Sequence, residues 1–550
     1  MKEHIPSRVH PAASLLRGAA VLGAAAMVSK LLGVLQKVPL QNIGGDEAFG
    51  IYSIVYPFYT LILFLATAGF PVAVSKFVAD SVSVGDTAEA GRILRHASIF
   101  LSITGFIFFA FLYFGADLIG TWIGNRHTVP AIQSVAFALW FVPLMSVLRG
   151  YFQGMQNMIP TAVSQVWEQL LRVTAMVVFL YYTTSRSMSS DMVAAGATLG
   201  SAVGALTGLL VMLYYRLKEK RSIRLSSRNH LDVMKEKVHP PLSSVQLFRK
   251  LMAYAIPVCL GAVVVPILNI VDTFSLPRLL AVQGFSEQQA VEQYGVYARG
   301  LPLMQMVSML FSSMSVAIVP AIAESKAKKD WGGLSSRVGN SLRISWIIGL
   351  ASSAGLALLS MPVNVMLYKD AVGTWTIFLL AWTIAFSVLN IVTSSVLQGL
   401  DAVKIPALHL LAAAGVKVLL NVLWVPHFGI RGAALSAVLS FVTAAALNVI
   451  YLARRNYIQI RFKDDLWKPI ASTVVMAAAV WGWKEGVDYS MGLIWPDLSA
   501  RVTATAVTLT SVLMGALVYG MALIKLGVLN RDQLNMIPLI GNKLAAKELK

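Results

Sequence analysis

The chain has 550 residues, of which 57% are hydrophobic and only 13% charged, and its mean hydropathy is +0.69. A soluble chain of this length needs far more charge to cover its surface, so the composition excludes a soluble enzyme and predicts an all-α polytopic membrane protein. The formal net charge of +19 reads as Lys and Arg gathered in loops on the cytoplasmic side, not as a nucleic-acid footprint.

The polar stretch Met1 to Pro11 precedes an apolar segment that lacks the small-residue cleavage site of a signal peptide, so this segment is expected to stay as the first span. Apolar runs of about 20 residues, long enough to cross a bilayer as helices, recur to the end of the chain. Fourteen spans are expected, at 14–38, 49–76, 94–116, 128–151, 158–182, 190–215, 249–272, 294–323, 338–362, 372–398, 405–425, 430–453, 467–484 and 502–526.

The first span, "VSKLLGVLQKVP", carries Lys30 and Lys37 with Gln36 beside them. Charges inside spans are expensive and mark function by default. On one continuous helix the two lysines share a face, about 10 Å apart. Lys37 lies near the outer end, where it could snorkel to the headgroups; Lys30 lies deeper. In span five Glu168 and Arg172 are at i,i+4, the spacing of a self-neutralising pair. Arg299 lies near the outer end of span eight, and Lys417 mid-way along span eleven, where it needs a cavity or a distant partner such as Glu168 or Asp272. Five basic groups against two acidic ones imply a cavity of positive potential, suited to an anion; Arg and Lys are the phosphate-binding side chains. Drug and cation exporters need carboxylates instead.

The longest connection, Arg216 to Lys250, holds ten Lys or Arg residues, and even-numbered connections are basic throughout. Both termini are therefore expected in the cytoplasm. The single Cys259 excludes a disulfide framework. The eight His are scattered without metal-ligand spacing, there is no P-loop, and the small-residue series Gly196, Gly200, Gly204 reads as helix packing. No enzyme activity, cofactor or metal is expected.

Two pieces of the chain recur at one offset. "FGIYSIVYP" (Phe49–Pro57) matches "YGVYARGLP" (Tyr294–Pro302), and "VLRGYFQG" (Val147–Gly154) matches "VTSSVLQG" (Val392–Gly399), both 245 positions on. Six spans separate equivalent elements, so the copies have the same orientation. This predicts two parallel six-helix lobes, with a substrate site between them as in transporters. The expected divisions are 1–216 for the first lobe, 217–248 for a basic cytoplasmic linker and 249–455 for the second lobe. An appendage of two spans at 456–527 and a cytoplasmic tail at 528–550 follow.

The stretches "MVSKLLGVLQKVPLQNIGGDEAFGIYSIVYPFY" and "RGYFQGMQNMIPTAVSQVWEQLLRV" resemble the polysaccharide-flippase branch of the multidrug/oligosaccharidyl-lipid/polysaccharide (MOP) exporter superfamily. Within it, the chain is similar to the SpoVB/YtgP group, related to the MurJ-type lipid II flippases. The resemblance covers essentially the whole chain. It implies a bacterial plasma-membrane protein that moves undecaprenyl-pyrophosphate-linked peptidoglycan precursor from the inner to the outer leaflet by alternating access. Cell-wall synthesis proteins would be possible partners. Against the family pattern Ser-Arg-x-Leu-Gly-Phe-x-Arg-Asp, Lys30 takes the first Arg position, Gln36 the second, and Lys37 stands for the Asp. Arg299 in "YARGLP" takes the position of the cavity Arg of span eight, Pro302 stands where the family has an acid, and Thr60 where a basic residue is usual. The implied pyrophosphate site is Lys30, Gln36, Lys37, Arg299, Lys417 and Arg172, with Glu168 and Asp272 as charge partners. The alternatives are a flippase for another lipid-linked oligosaccharide or a spore-cortex precursor, a MATE-like cation or drug antiporter, and a non-transporting scaffold for envelope synthases.

Overall fold

The computed structural model of the protein describes residues 11–67, 69–229, 244–458 and 462–528. The side chains of 256–266, Cys259 among them, the linker segment 230–243 and the tail from 529 onward lie outside the described residues. The described regular structure is helical throughout, as expected of segments with no water to satisfy their backbone.

The chain forms two compact units, one holding Met1–Ala298 with Asn421–Gly429, the other Arg299–Leu420 with Ile430–Lys550. The first unit contains α1 (Pro11–Leu35), α2 (Lys37–Thr67), α3 (Phe70–Ser83), α4 (Thr87–Phe114) and the short α5 (Ala116–Ile123). It continues with α6 (Val129–Ala136), α7 (Ala138–Gly154), α8 (Ile159–Ser185), α9 (Ser190–Asn229), α10 (Ser244–Val282) and α11 (Glu287–Ala298). The second contains α12 (Leu301–Ala327), α13 (Trp331–Leu358), α14 (Ser360–Tyr368), α15 (Thr374–Ala381) and α16 (Thr383–Gly399). Most of α17 (Lys404–Phe428) follows, then α18 (Ile430–Arg454), α19 (Lys468–Ile494) and α20 (Ala500–Lys525).

Contacts do not divide the chain at the expected lobe boundary: α10 and α11 go with the first unit, where they pack on α2. The start of the expected linker, up to Asn229, continues α9 as helix. Ten stretches among the described residues are long and apolar enough to cross a membrane, so the expected count of fourteen is not reached on that measure. One of the ten, Ala20–Ser83, is 64 residues long, and α8, α10 and α19 fall outside the set; α8 carries Glu168, Gln169 and Arg172. Large apolar side chains such as Phe106, Val178, Leu210, Leu419 and Leu517 are exposed, as the surface of a multi-pass protein facing lipid requires.

One feature bears on the sequence reading of the first span. The helix breaks at Gln36, between α1 and α2. Pro39 explains it: proline has no N–H for the carbonyl four residues back, that of Leu35, and its ring crowds that carbonyl. Lys30 and Lys37 thus stand on either side of this interruption, across which the Gln36 N–H still donates to the Leu32 carbonyl at 3.0 Å and the Leu40 N–H to the Gln36 carbonyl at 3.3 Å. The chain then stays helical almost to Ala68, except at Gly45, whose φ of 77° and ψ of 175° interrupt α2.

Glycines of the matched stretches sit at close approaches between helices. Gly50 of α2 and Gly295 of α11, matched at the 245 offset, meet each other: a Cβ on Gly50 would lie 2.0 Å from the Val291 carbonyl oxygen, and one on Gly295 1.9 Å from that of Asp46. Gly154 and Gly399, the other matched pair, make equivalent contacts in their own units. Their added Cβ atoms would lie 2.6 Å from the Ser75 carbonyl oxygen of α3 and 2.8 Å from that of Val319 in α12. The series Gly196, Gly200, Gly204 is a packing stripe, as expected; Cβ atoms at Gly200 and Gly204 would lie 2.8 Å and 2.7 Å from the carbonyl oxygens of Arg172 and Glu168. It draws α9 against the polar part of α8.

Candidate functional site

In the first unit a chain of polar side chains runs from α7 through α8 to the break in the first span. The Arg149 guanidinium donates to Glu168 Oε2 at 2.8 Å and to Ser164 Oγ at 2.7 Å; Ser164 in turn donates to the Gly208 carbonyl at 2.9 Å. Arg172 Nη2 donates to the other carboxylate oxygen, Glu168 Oε1, at 2.6 Å, and Arg172 Nη1 reaches Gln169 Oε1 at 3.5 Å. Gln169 Nε2 donates to Gln36 Oε1 at 3.4 Å, and Gln36 Nε2 to the Tyr52 hydroxyl at 3.2 Å. Tyr52 stacks on Tyr56, ring centroids 5.3 Å apart.

Two arginines on one carboxylate leave this cluster with one net positive charge, and its three charged side chains are each only 13–14% exposed. Among the described residues, Arg172 Nε is buried without a hydrogen-bond partner. The i,i+4 pair expected from sequence is therefore present, but Glu168 serves two cations. Arg149 was missed because it lies close to the inner end of the expected fourth span, where an Arg reads as a loop residue; the signal available was its place inside 128–151.

Gln36 is buried, at 4% exposure, in the break itself. Lys37 is half-buried at the start of α2, and Lys30 is exposed on α1. Among the described residues Lys30 makes no hydrogen bond or ion pair. Its neighbour Ser29 donates to the Gln165 carbonyl at 3.2 Å and pins α1 to α8.

In the same unit Asp272 of α10 accepts from the Tyr297 hydroxyl at 2.8 Å and from Asn421 Nδ2 at 3.2 Å. Sequence spacing linked Asp272 to neither residue.

The second unit holds Arg299 differently from the expectation of an open cavity cation. It is fully buried just after α11, and its guanidinium grips Asp370 at 2.6 and 3.1 Å. It also donates to the Val372 carbonyl at 3.2 Å, and the Tyr368 hydroxyl donates to its own carbonyl at 2.9 Å. Asp370 lies in the turn between α14 and α15. Burial pushes its carboxyl up, but the Arg299 hydrogen bond, the Val372 N–H and the Arg299 charge outweigh this and hold it below the ordinary carboxylate range. Lys417, on α17, is buried at 3% exposure. Of the six expected pyrophosphate-binding residues, the structure brings Gln36 and Arg172 into one network, neutralises Arg299 and leaves Lys30 exposed.

The family described as polysaccharide biosynthesis protein matches residues 15–326. The chain belongs to that family. Stage V sporulation protein B of Bacillus subtilis is 27% identical over 536 residues, 96% of this chain and 98% of the relative. The uncharacterized membrane protein YabM of Bacillus subtilis is 32% identical over 534 residues, 96% of each chain. The lipid II flippase MurJ of Bacillus subtilis is 27% identical over 540 residues, 94% of this chain and 96% of the relative. A solved structure of lipid II flippase MurJ in an inward closed conformation shares the fold, with a TM-score of 0.63 at 15% identity, over 92% of this chain and 98% of the other. This member of the polysaccharide biosynthesis protein family is thus a multi-pass helical membrane protein of MurJ-like fold.

Proposed function

We propose that the protein is a flippase for a lipid-linked glycan, with undecaprenyl-pyrophosphate-linked peptidoglycan precursor, lipid II, as its substrate. It would work in the bacterial plasma membrane, both termini in the cytoplasm, carrying substrate from the inner to the outer leaflet. The observation that carries this reading is Lys30. A lysine within an apolar span, exposed and without an ion pair among the described residues, is an expensive arrangement that a bound anion relieves. A pyrophosphate supplies that anion, and the network of Gln36, Gln169, Arg172 and Arg149 places a further net positive charge beside the same helix break.

Full-length similarity to a protein named lipid II flippase supports the substrate. The cation or drug antiporter is less well supported, because both span carboxylates considered are engaged: Glu168 by two arginines and Asp272 by Tyr297 and Asn421. With no P-loop in the sequence, an ion gradient or the membrane potential would drive the cycle; the potential supplies about 2.3 kcal/mol per charge per 100 mV.

The test is a lipid II accessibility assay in cells depleted of their own flippase and supplied with this protein. The expected result is precursor reaching the outer leaflet, and its loss in the Lys30→Ala variant at equal protein level. Precursor held in the inner leaflet despite correct insertion of the wild-type protein would sink the lipid II assignment and direct attention to another isoprenoid-linked glycan. Normal transport by Lys30→Ala would remove Lys30 from the site.

A further inference from the structure

We propose that Arg172 of α8 and Tyr59 of α2 together hold a singly charged inorganic anion of the halide kind inside the first unit. Among the described residues, Arg172 Nε and the Tyr59 hydroxyl are both buried without a hydrogen-bond partner. Orphaned donors in a folded interior call for an ion or a water. The two belong to one neighbourhood. The charges of Arg172 and Glu168 both act on the Tyr59 hydroxyl, and Arg172 acts on those of Tyr52 and Tyr56 as well. The three tyrosines follow one face of α2 at i, i+4 and i+7. Their ring centroids lie 5.3 Å apart between Tyr52 and Tyr56, and 6.0 Å apart between Tyr56 and Tyr59.

The donors select an anion. A guanidinium N–H can only donate. The Tyr52 hydroxyl already accepts from Gln36 Nε2 at 3.2 Å, so it has a hydrogen left to give. Both oxygens of Glu168, the carboxylate of this cluster, are taken by arginines, Arg149 at 2.8 Å and Arg172 at 2.6 Å. A cation would therefore meet two guanidinium groups and a set of hydrogens. Water would satisfy Arg172 Nε but leave the charge as it stands. Arg149, Glu168 and Arg172 carry one net positive charge on side chains 13–14% exposed, and a single negative charge cancels it. It would also receive hydrogen bonds of the strong, charge-assisted kind.

The ion must be small, because Tyr52 and Tyr59 are each only 2% exposed. It has a way in: Tyr56 between them is half-buried, and the arginines keep the exposure just given. Held there, it ties α8 to α2, as Gln36 does at the break through Gln169 and Tyr52. A phosphoryl oxygen of a lipid-linked substrate has the same acceptor chemistry. It brings more than one negative charge and a headgroup, however, so the charge balance and the burial favour the free ion. This site does not depend on the flippase reading.

The experiment is scanning fluorimetry of the full-length protein in detergent, with sodium chloride exchanged for sodium gluconate at constant ionic strength. A ligand held by the folded state raises the melting temperature with its concentration. The wild type should melt higher as chloride rises, and then level off. Tyr59→Phe keeps the ring and removes the donor, so the chloride concentration at half effect should rise about tenfold, the loss of one hydrogen bond to an ion. In gluconate the same variant should melt at or above wild type, because an orphaned buried hydroxyl is gone. If Tyr59→Phe does not fold, chloride-35 NMR carries the test: the wild type should broaden the chloride line, and Tyr52→Phe should broaden it less. Equal melting in chloride and gluconate overturns the site and leaves the donors to water. A chloride effect that neither tyrosine variant weakens overturns its placement. Farnesyl pyrophosphate, added in gluconate, separates the two sources. If it stabilises the wild type while chloride does not, the donors belong to a substrate phosphate and the free-ion proposal fails. Loss of lipid II transport in cells would count against the flippase reading alone.

Discussion

Arg299 and Asp370 close on each other through two hydrogen bonds of 2.6 and 3.1 Å across 71 positions of sequence, with the arginine side chain 1% exposed and the aspartate 44%. That inequality predicts an asymmetric response to mutation. Asp370→Ala leaves a buried guanidinium without its countercharge and without the hydrogen-bond acceptor that an asparagine would keep, and should cost about 2 kcal/mol, below the figure for a fully buried pair because water reaches the aspartate side. Arg299→Met removes the buried charge and leaves a carboxylate that water can solvate, so it should cost clearly less. Thermal unfolding of both variants in detergent checks the order; equal losses would mean that the pair is not what holds this turn.

The same pair predicts an acid-side dependence. The Asp370 carboxyl is held below its ordinary value, so its contribution is fully present above the unfolded-state pKa, about 3.9, and fades as pH falls through the lower folded value. Asp370→Asn should be less stable than wild type by about 1 kcal/mol at pH 7, a figure kept small because the exposed side of the pair is screened. The difference should narrow below about pH 4. Melting curves from pH 7 to 3 measure it, and a gap that widens in acid has the wrong sign.

Glu168 is shared by Arg149 and Arg172, so the three single changes should differ. Glu168→Gln strands two buried cations and should destabilise by about 3 kcal/mol. Arg149→Ala leaves Glu168 with Arg172 as a one-to-one pair and should destabilise by about half as much. A double-mutant cycle between Arg149 and Arg172 should show coupling through the shared carboxylate; strict additivity would contradict the shared arrangement.

The contact of Gly50 with Gly295 leaves no room for a methyl group. An alanine at either position would meet a backbone carbonyl oxygen at 2.0 or 1.9 Å, forcing α2 and α11 apart and destabilising by at least about 2 kcal/mol. Gly91 of α4, with nothing within 4 Å of an added Cβ, is the control, and its change to Ala should stabilise by about 0.5–1 kcal/mol through helix propensity. Scanning fluorimetry of the three variants gives the comparison.

Lys30→Ala should reduce rescue of a flippase-depleted strain at least about tenfold, an effect the size of one lost charge-assisted contact. Lys37→Ala should do less, since Lys37 is half-buried beyond the break while Lys30 is exposed. Equal and mild effects would count against an anion site on the first span.

The helices were legible in the sequence because they follow from a local pattern, apolar runs long enough to cross a bilayer. The site was only partly legible. Arg172 and Glu168 are neighbours on one helix and could be paired by spacing, but Asp370 lies 71 positions from Arg299 and Arg149 lies 19 from Glu168. Spacing carries no information about such partners. The break at Gln36 had a visible cause in Pro39, yet one proline does not disturb the average hydropathy of a span.

The matched glycines carry a last consequence. Arg299 corresponds, 245 positions earlier, to Ile54, an apolar and fully buried residue. The two matched stretches thus keep glycine at close helix contacts while carrying different chemistry elsewhere. Two identical subunits would have to show the same residue twice, once in each. A single chain that contains both copies is free of that symmetry. It can place a charge in one and a hydrocarbon in the other, so each copy is free to meet a different chemical surrounding.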